Sequence, residues 1–494
     1  MHMWKSGFSR PKEARASTDS WRPYQWGARL LVAVSLSCCL LASGQAQASY
    51  QPIQSIDPPP GVSSGQISPL LQGRDGLLYG MTSAGGTSNA GTIFGLGTNG
   101  GGYTGILSFT LTNGSTPFGR LLEGPDGSFY GTTSAGGANS SGTVFKVNKD
   151  GSSFTVLHDF GSASGDGNTP FAGLVKGSDG VLYGTTGGGG SGGVGTVFKL
   201  NQDGSGYSVL HSFVGFAGPQ GSFPFAALVL GSDGVLYGTT YFGGANGLGV
   251  LFKLNADGTS YTVLHDFMGP AGNDGRPPLA ELIEGTNGML YGTTYFGGTN
   301  DSGTVFGLST GGTGYSVLYN FTGDGNGGEP WAGLVQGAQG NLYGTTRFGG
   351  AADLGTAFRL NTDGSGYTVL HSFIGTPKDG AQPGAALWLA GDGTLYGTTH
   401  AGGSYNDGTV FKIFFDTAAA TPPVILSQTI IGGNFQLSFT GPDGQTYRVL
   451  ATTDLSLPLT SWTVLTNGTF AGPATFIDTA TADNPARFYK VGSP

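Results

Sequence analysis

Short runs of alternating hydrophobic and polar residues recur along most of this chain, and turn-forming residues bound each run. In the clearest segment, an apolar run is followed by the turn Gly-Ser-Asp-Gly at 231–234, and a second Asp-Gly pair stands at 257–258. Asp-Gly pairs favour hairpin turns because both residues tolerate positive φ angles. The segment therefore predicts four antiparallel strands, at 225–229, 235–240, 249–255 and 261–267.

One phrase, Leu-Tyr-Gly-Thr-Thr, marks the second strand of this pattern and recurs in close copies. Its tyrosine stands at Tyr79, Tyr130, Tyr183, Tyr237, Tyr291, Tyr343 and Tyr396. Neighbouring copies are 51 to 54 residues apart. A repeat of this length with four strands is typical of a β-propeller blade, which packs on its two neighbours. The sequence therefore predicts an all-β fold with a seven-bladed β-propeller at residues 49–416.

The seventh repeat lacks a fourth strand, because the chain leaves it after the apolar run at 408–413. The missing strand is predicted at the other end of the repeats, where residues 50–56 align with residues 367–373 of the sixth repeat. Pairing of this segment with the last repeat would close the ring and cover an exposed strand edge. Pro52 cannot donate a ladder hydrogen bond, so we expect an irregularity there.

The two ends of the chain differ from the repeats. Residues 1–48 combine a basic segment, an apolar run at 30–42 and the sequence Ala46-Gln47-Ala48, which predicts a signal peptide. The apolar run is shorter than the roughly 20 residues that span a bilayer. We expect an exported protein, either secreted, periplasmic or at the cell surface, without a transmembrane segment in the mature chain. After a linker at 417–423, short strand-like runs predict a small β-sandwich at 424–494.

Charge and cysteine content exclude several classes of partner. The chain carries a formal charge of −9 over 494 residues, without a basic stripe. Nucleic acid is therefore an unsuitable partner, because phosphate contacts need clustered Lys and Arg. Cys38 and Cys39 both lie in the predicted signal peptide, so no disulfide or thiolate metal site is expected in the mature chain. We expect a monomer with no cofactor.

Longer motifs around the repeated phrase resemble a known bacterial repeat. They are Gly-Ser-Asp-Gly-Val-Leu-Tyr-Gly-Thr-Thr, Gly-Thr-Val-Phe-Lys-Leu-Asn and Tyr-Thr-Val-Leu-His-Ser-Phe, each found whole or nearly whole in several copies. These motifs resemble the tandem repeat named for Gloeobacter and Verrucomicrobia, over about residues 66–413. The resemblance implies an exported protein that often carries a C-terminal surface-sorting module. The blades also resemble kelch-type propellers distantly, and no catalytic residues carry over from that likeness.

Polar residues that recur at fixed positions are expected to serve the fold. Four histidines share one position on the predicted outer strands: His158, His211, His265 and His371. A metal site needs ligands that converge on one ion, whereas these histidines belong to different blades, so packing is favoured. The Asn-x-Asp-Gly aspartates are Asp150, Asp203, Asp257 and Asp363. A turn-forming role is favoured for them over a Ca²⁺ site, which needs six to eight oxygens.

Residues that break the repeat are better candidates for function. The loops after the second strands supply Tyr241, Phe242, Tyr295, Phe296, Arg347, Phe348 and His400. The connections between blades supply Trp331 and the charged residues Asp166, Asp274, Arg276, Asp324, Glu329, Lys378 and Asp379. In propellers these loops share one face, so we predict an aromatic and charged rim that suits sugar rings or peptides. The alternative is that the aromatic residues only pack over neighbouring blades.

The sequence favours a non-catalytic binding or adhesion protein for an extracellular glycan or a surface protein. It contains no H-E-x-x-H metalloprotease motif. A carbohydrate-active hydrolase or lyase is the alternative, with Asp274, Asp324 and Glu329 as candidate acid and base. The distance between such carboxylates decides the mechanism, and the sequence does not give it. A structural scaffold without a ligand is the third hypothesis.

Overall fold

The computed structural model describes residues 48–56, 65–216, 218–375, 377–415, 424–431, 434–440, 446–452, 463–469, 472–478 and 488–492. Residues 1–47 of the predicted signal peptide and the predicted linker at 417–423 lie outside this part. The chain divides into two compact units, of which one spans residues 47–416 and the other contains the strands after residue 417. The described residues form β-strands and a single 3₁₀ turn at Pro270–Gly272, with no α-helix. No helix in these ranges has the length and hydrophobicity to cross a membrane.

Seven sheets, each built on four antiparallel strands, follow one another along the first unit. Sheet 1 contains Leu71–Gln72, Leu78–Thr82, Thr92–Leu96 and Thr104–Ser108. Sheet 2 contains Leu122–Glu123, Phe129–Thr133, Thr143–Val147 and Thr155–Asp159. Sheet 3 contains Val175–Lys176, Leu182–Thr186, Gly193–Leu200 and Ser208–Val214. Sheet 4 contains Val229–Leu230, Val235–Thr239, Val250–Asn255 and Thr262–Asp266.

The remaining sheets repeat this order. Sheet 5 contains Ile283–Glu284, Met289–Thr294, Thr304–Ser309 and Ser316–Asn320, and sheet 6 contains Val335–Gln336, Leu342–Thr346, Thr356–Leu360 and Thr368–Ser372. Sheet 7 contains Trp388–Leu389, Leu395–Thr398, Thr409–Phe415 and Ala48–Ser55. Three two-residue pairs lie in the loops: Gly167–Asn168 with Gly188–Gly189, Gly275–Arg276 with Phe296–Gly297, and Gly380–Ala381 with Ala401–Gly402.

The fourth strand of sheet 7 comes from the opposite end of the unit. Ala48–Ser55 pairs antiparallel with Thr409–Phe415, in the position that Thr368–Ser372 takes in sheet 6. The register shifts between Pro52 and Gln54, at the proline where an irregularity was expected. The N-terminal strand therefore completes the last sheet, as the alignment of residues 50–56 predicted.

The repeated Tyr-Gly pair explains how neighbouring sheets pack. Tyr291 of sheet 5 is 2% exposed and shares a hydrophobic cluster with Leu342 and Phe358 of sheet 6. Gly292 leaves room for the ring of Phe306, because a Cβ there would lie 2.6 Å from Phe306 Cζ. Equivalent clusters join each sheet to the next and join sheet 7 to sheet 1. Burial of each large apolar side chain stabilises the fold by about 1.5–3 kcal/mol.

The second unit contains two three-stranded antiparallel sheets. One contains Val424–Ile431, Asn434–Thr440 and Ala474–Asp478, and the other contains Thr446–Thr452, Thr463–Thr469 and Phe488–Gly492. Phe435, Leu437 and Phe439 are buried and alternate with partly exposed residues, as a strand with one buried face requires. They share a hydrophobic cluster with Val449 of the other sheet.

Candidate functional site

The segments that lead into the first strands of all seven sheets surround a cavity of about 520 Å³, here called the central cavity. One repeat position supplies a lining residue from every sheet: Ile67, Phe118, Phe171, Phe225, Leu279, Trp331 and Gly384. The position after the repeated Thr-Thr pair adds Tyr241, Tyr295, Arg347 and His400. The volume falls in the range of small-molecule sites, roughly 300–1,000 Å³.

A strained turn before the first strand holds these two positions together. In five sheets the residue before a proline has a φ of 54° to 58°: Thr116, Thr169, Phe223, Glu329 and Gln382. Non-glycine residues rarely adopt this region, so the surrounding hydrogen bonds must hold the turn. The Gln382 carbonyl accepts a hydrogen bond from the His400 N–H at 3.1 Å, and its own N–H donates to Leu354 of sheet 6 at 2.8 Å. Phe223 and Glu329 bind the N–H groups of Tyr241 and Arg347 in the same way, at 3.0 and 3.2 Å, so three of these turns tie a cavity residue to the preceding sheet.

Aromatic rings form one side of the cavity wall. Phe118, Phe171 and Phe225 follow one another with ring centroids 5.5 and 5.1 Å apart. Tyr241 continues this series at 5.6 Å from Phe225. Further round the wall, Tyr295 meets Trp331 edge to face at 5.2 Å. Such a wall offers apolar ring surface together with two phenol hydroxyl groups.

Polar side chains form the other side. The Arg347 guanidinium lies over the Trp331 ring, with Cζ 4.7 Å from its centroid. The Nδ1 atom of His400 is buried and has no hydrogen-bond partner among the described residues. Burial, and then the charge of Arg347, lower the pKa of His400, so its imidazole is neutral at pH 7. Gln66 and Gln382 add amide groups to this side.

The Tyr295 phenol, whose ring contacts Trp331, is held in its neutral form. Burial and a hydrogen bond to Glu329 raise the pKa of Tyr295 to about 12. The phenol is therefore neutral near pH 7, and because its proton is engaged by Glu329, its oxygen is left to accept a hydrogen bond. Glu329 is not among the lining residues of the cavity.

An ion pair crosses the cavity between sheets 2 and 5. Arg120 Nη2 lies 3.3 Å from Glu281 Oε1, and the two side chains are 25% and 23% exposed. The same Nη2 atom approaches the Leu387 carbonyl of sheet 7 at 3.5 Å. Gly333 makes room for the pair, because a Cβ there would lie 2.7 Å from Glu281 Cγ. The pair neutralises Arg120 and links sheets that are not neighbours.

The structure separates the eight predicted site residues into two groups. Five line the central cavity: Tyr241, Tyr295, Trp331, Arg347 and His400. The other three, Phe242, Phe296 and Phe348, are not among the lining residues. Each follows a lining residue directly, and successive side chains of an extended segment point to opposite sides. Phe242 packs instead on the exposed ring of Phe216, at 4.8 Å.

Other lining residues were not predicted from the sequence. Phe118, Phe171 and Phe225 each follow a proline at a repeated position, so they resembled residues that serve the fold. The signal for Arg120 and Glu281 was present, because the equivalent position in the other repeats is Pro, Gly or Ala. A charged residue in place of a small one marks a position that no longer packs like the others.

The carboxylates considered for catalysis do not gather in the cavity. Asp274 is 1% exposed, accepts a hydrogen bond from the Tyr315 hydroxyl and lies 2.9 Å from His265 Nε2. Asp324 is exposed in its own loop, where it accepts a hydrogen bond from the Asn326 N–H at 3.0 Å. Glu329 is hydrogen-bonded to Tyr295 and is not among the lining residues. The three groups therefore form no acid–base pair facing the cavity.

The repeated histidines stack between neighbouring sheets. His265 lies on Tyr315 of the next sheet with ring centroids 3.6 Å apart, and His158 and His211 make the same contact with Tyr207 and Tyr261. His371 stacks on Tyr50 of the N-terminal strand at 3.5 Å. These contacts agree with the packing role that the sequence favoured.

The Asn-x-Asp-Gly aspartates fold back on their own turns. Asp257 Oδ1 accepts hydrogen bonds from the backbone N–H and the hydroxyl of Thr259, at 2.9 and 2.6 Å. The same pattern holds at Asp150, Asp203 and Asp363. Within the described ranges, no three His, Cys, Asp or Glu side chains are grouped to hold a metal ion.

Comparison with known proteins bears on the repeats. The family model described as the Gloeobacter/Verrucomicrobia repeat matches residues 48–229, 214–335 and 278–454. No curated protein matches the chain. The extracellular domain of a putative one component system from B. thetaiotaomicron is 12% identical, with a TM-score of 0.49, over 92% of this chain and 59% of that chain. Oligogalacturonate lyase in complex with manganese is 11% identical, with a TM-score of 0.49, over 76% of this chain and 99% of that chain. Likenesses this low carry no argument about activity.

Proposed function

This chain belongs to the Gloeobacter/Verrucomicrobia repeat family, and we propose that its seven sheets are the blades of one closed β-propeller. The cluster shared by sheets 7 and 1, together with the N-terminal strand in sheet 7, supports this proposal. We propose further that residues 1–48 are a signal peptide and that the protein acts as an exported monomer. The two C-terminal sheets, which share one hydrophobic cluster, support a β-sandwich at 424–494 after the linker at 417–423.

The proposed function is non-catalytic binding of an extracellular glycan in the central cavity. The aromatic wall carries this proposal, since Phe118, Phe171, Phe225 and Tyr241 present half-buried rings along one side. The C–H faces of sugar rings pack on such surfaces, and the polar side of the wall supplies partners for hydroxyl groups. A small concave site of this kind suits the end of a glycan chain better than the broad surface of a protein partner.

The carbohydrate-active enzyme is the weaker alternative. Asp274, Asp324 and Glu329 are absent from the cavity wall, and Glu329 is hydrogen-bonded to Tyr295. The one carboxylate that does line the cavity, Glu281, is paired with Arg120. A hydrolase or lyase would need an unpaired acid and base near the ligand.

Retention of the purified protein on immobilised polysaccharides, with released sugar scored in parallel, tests the proposal. We expect retention without release, and loss of retention in a Tyr295→Ala, Trp331→Ala double variant. Phe296→Ala is the matched control, because it removes a neighbouring aromatic side chain that does not line the cavity. Melting curves check that each variant is folded.

Two outcomes would contradict glycan binding in the cavity. One is the absence of retention on every polysaccharide, and the other is retention that the double variant leaves unchanged. Release of sugar would favour the enzyme instead.

A further inference from the structure

We infer that the central cavity selects an acidic glycan, and that Arg347 binds a carboxylate of one of its sugar residues. This inference rests on the proposed glycan binding and adds the charge class of the ligand. It is carried by the charges that line the cavity and by the way Arg347 is held.

The lining residues leave one positive charge unbalanced. Arg120, Glu281 and Arg347 are the charged residues of the wall, and Arg120 is paired with Glu281 at 3.3 Å. No carboxylate of the described residues lies within ion-pair distance of Arg347. Glu329, from the turn that contacts Arg347, is hydrogen-bonded to Tyr295 and is not among the lining residues. The lining side chains therefore sum to one positive charge, in a chain whose formal charge is −9.

The Arg347 side chain is held in place before any ligand arrives. Its guanidinium lies over Trp331 at 4.7 Å and near Phe348 at 5.7 Å. The Arg347 N–H donates to the Glu329 carbonyl at 3.2 Å, which fixes the backbone. A guanidinium stacked on a ring keeps its edge N–H groups available, and two parallel N–H groups match the two oxygens of a carboxylate.

The neighbouring groups favour a sugar acid over an isolated anion. Trp331 and Tyr295 offer ring surface beside Arg347, and the Tyr295 hydroxyl, whose proton is engaged by Glu329, adds an oxygen that can accept a hydrogen bond. Neutral His400 adds a second polar group on the same side. A uronic acid presents a ring face, hydroxyl groups and a carboxylate together, so each of these groups finds a partner. A neutral sugar would leave the guanidinium facing hydroxyl oxygens only.

The test uses matched oligosaccharide pairs and the purified protein. Tetrasaccharides of β-linked glucan, α-linked glucan and β-linked mannan are each prepared in the neutral form and with their C6 groups oxidised to carboxylates. A third form carries sulfate at C6. Calorimetry measures the dissociation constants at low and at high salt. We expect an oxidised member to bind about tenfold or more tightly than its neutral partner, because charge-assisted hydrogen bonds are the stronger ones.

Variants of two arginines locate the effect. Arg347→Gln should remove the preference for the oxidised member, and Arg347→Lys should keep part of it, since lysine supplies charge without the planar fork. Arg74→Gln is the control, because this arginine is exposed on a turn of sheet 1 outside the cavity. The preference should also weaken at high salt.

The outcomes separate the inference from the proposed function. Equal affinity for neutral and oxidised members would overturn the inference and leave glycan binding standing. A preference that survives in Arg347→Gln, or tighter binding of the sulfated form, would overturn the assignment of a carboxylate to Arg347. Binding of no tetrasaccharide in any form would overturn the proposed function, and the inference with it.

Discussion

At the scale of single residues, the same buried group of aspartate, histidine and tyrosine recurs between neighbouring sheets. Asp274 accepts hydrogen bonds from the N–H groups of Met268 and Gly275, at 2.9 and 2.6 Å, as well as from Tyr315. Burial alone would raise the pKa of Asp274, but hydrogen bonds from His265 and Tyr315 outweigh it and hold the pKa below its ordinary value. The ionised carboxylate is thus the stable form in the folded chain.

This group predicts a loss of stability in acid. A carboxyl whose pKa is lower in the folded chain contributes stability above its unfolded pKa of about 3.9, and this contribution is lost as pH falls through the folded pKa. We expect the melting temperature of the natural chain to exceed that of Asp274→Asn by the same amount from pH 7 to pH 5. Below about pH 4 the difference should shrink. Differential scanning fluorimetry across this range measures it.

A matched position sharpens this test. Asp257→Asn changes an exposed turn aspartate whose contacts are confined to its own turn. The advantage of the natural chain over this variant should be much smaller at every pH. A difference between the natural chain and Asp274→Asn that stays constant down to pH 2.5 would contradict the assignment.

At the scale of the element, the N-terminal strand Ala48–Ser55 is separated along the chain from the rest of its sheet by the other six sheets of the first unit. Tyr50 stacks on His371, and Ile56 is 2% exposed in the cluster between sheets 7 and 1. The Ile56 N–H donates to the Gly408 carbonyl at 3.0 Å, as the Phe373 N–H does to Gly355. The strand therefore contributes both backbone pairing to sheet 7 and side-chain burial to the contact between sheets 7 and 1.

Deletion of residues 48–56 should destabilise the first unit strongly. Loss of the buried side chains alone would cost several kcal/mol, since each large apolar side chain contributes about 1.5–3 kcal/mol. Chemical denaturation followed by tryptophan fluorescence measures the change. Tyr50→Ala should reproduce part of the loss, while Tyr50→Phe keeps the ring stacked on His371 and serves as its control. An unchanged denaturation midpoint in the deletion variant would argue against closure by this strand.

At the scale of the whole molecule, the Arg120–Glu281 pair reports on the ring. Sheets 2 and 5 are separated by two other sheets along the chain, yet their side chains meet at 3.3 Å. Such a contact is expected if the seven sheets are blades around a common axis, as we propose. Arg276 and Asp301 offer a comparison, because they pair at 2.9 Å within the loops of sheet 5 and are 36% and 48% exposed.

A double-mutant cycle measures what the cross-cavity pair contributes. For Arg120→Met and Glu281→Gln we expect a coupling free energy of unfolding of about 1 kcal/mol, since the charges are only partly screened by water. The same cycle on Arg276 and Asp301 should give no more than about 0.5 kcal/mol. Equal coupling free energies in the two cycles would show that the cross-cavity pair stabilises the first unit no more than an ordinary surface pair does.

The sequence by itself determined the strands, the turns and the identity of the N-terminal strand. These features follow from local rules, because strands show a period of two, hairpin turns require residues such as Asp and Gly, and each repeat tests the same pattern again. The same local rules do not mark the strand Val424–Ile431, since its most hydrophobic residues stand at its two ends and no alternation marks its middle. Repetition of the pattern is therefore what identifies most of the strands.

Only the tertiary structure decided which of the non-repeated residues share one cavity. Tyr241 and Phe242 look equivalent in the sequence, but the turn at Phe223 directs the first into the cavity and the second away from it. Arg120 and Glu281 are far apart along the chain and meet in the central cavity, which is lined by the segments before the first strands of all seven sheets. Side-chain direction depends on this closure, and a local pattern does not contain it.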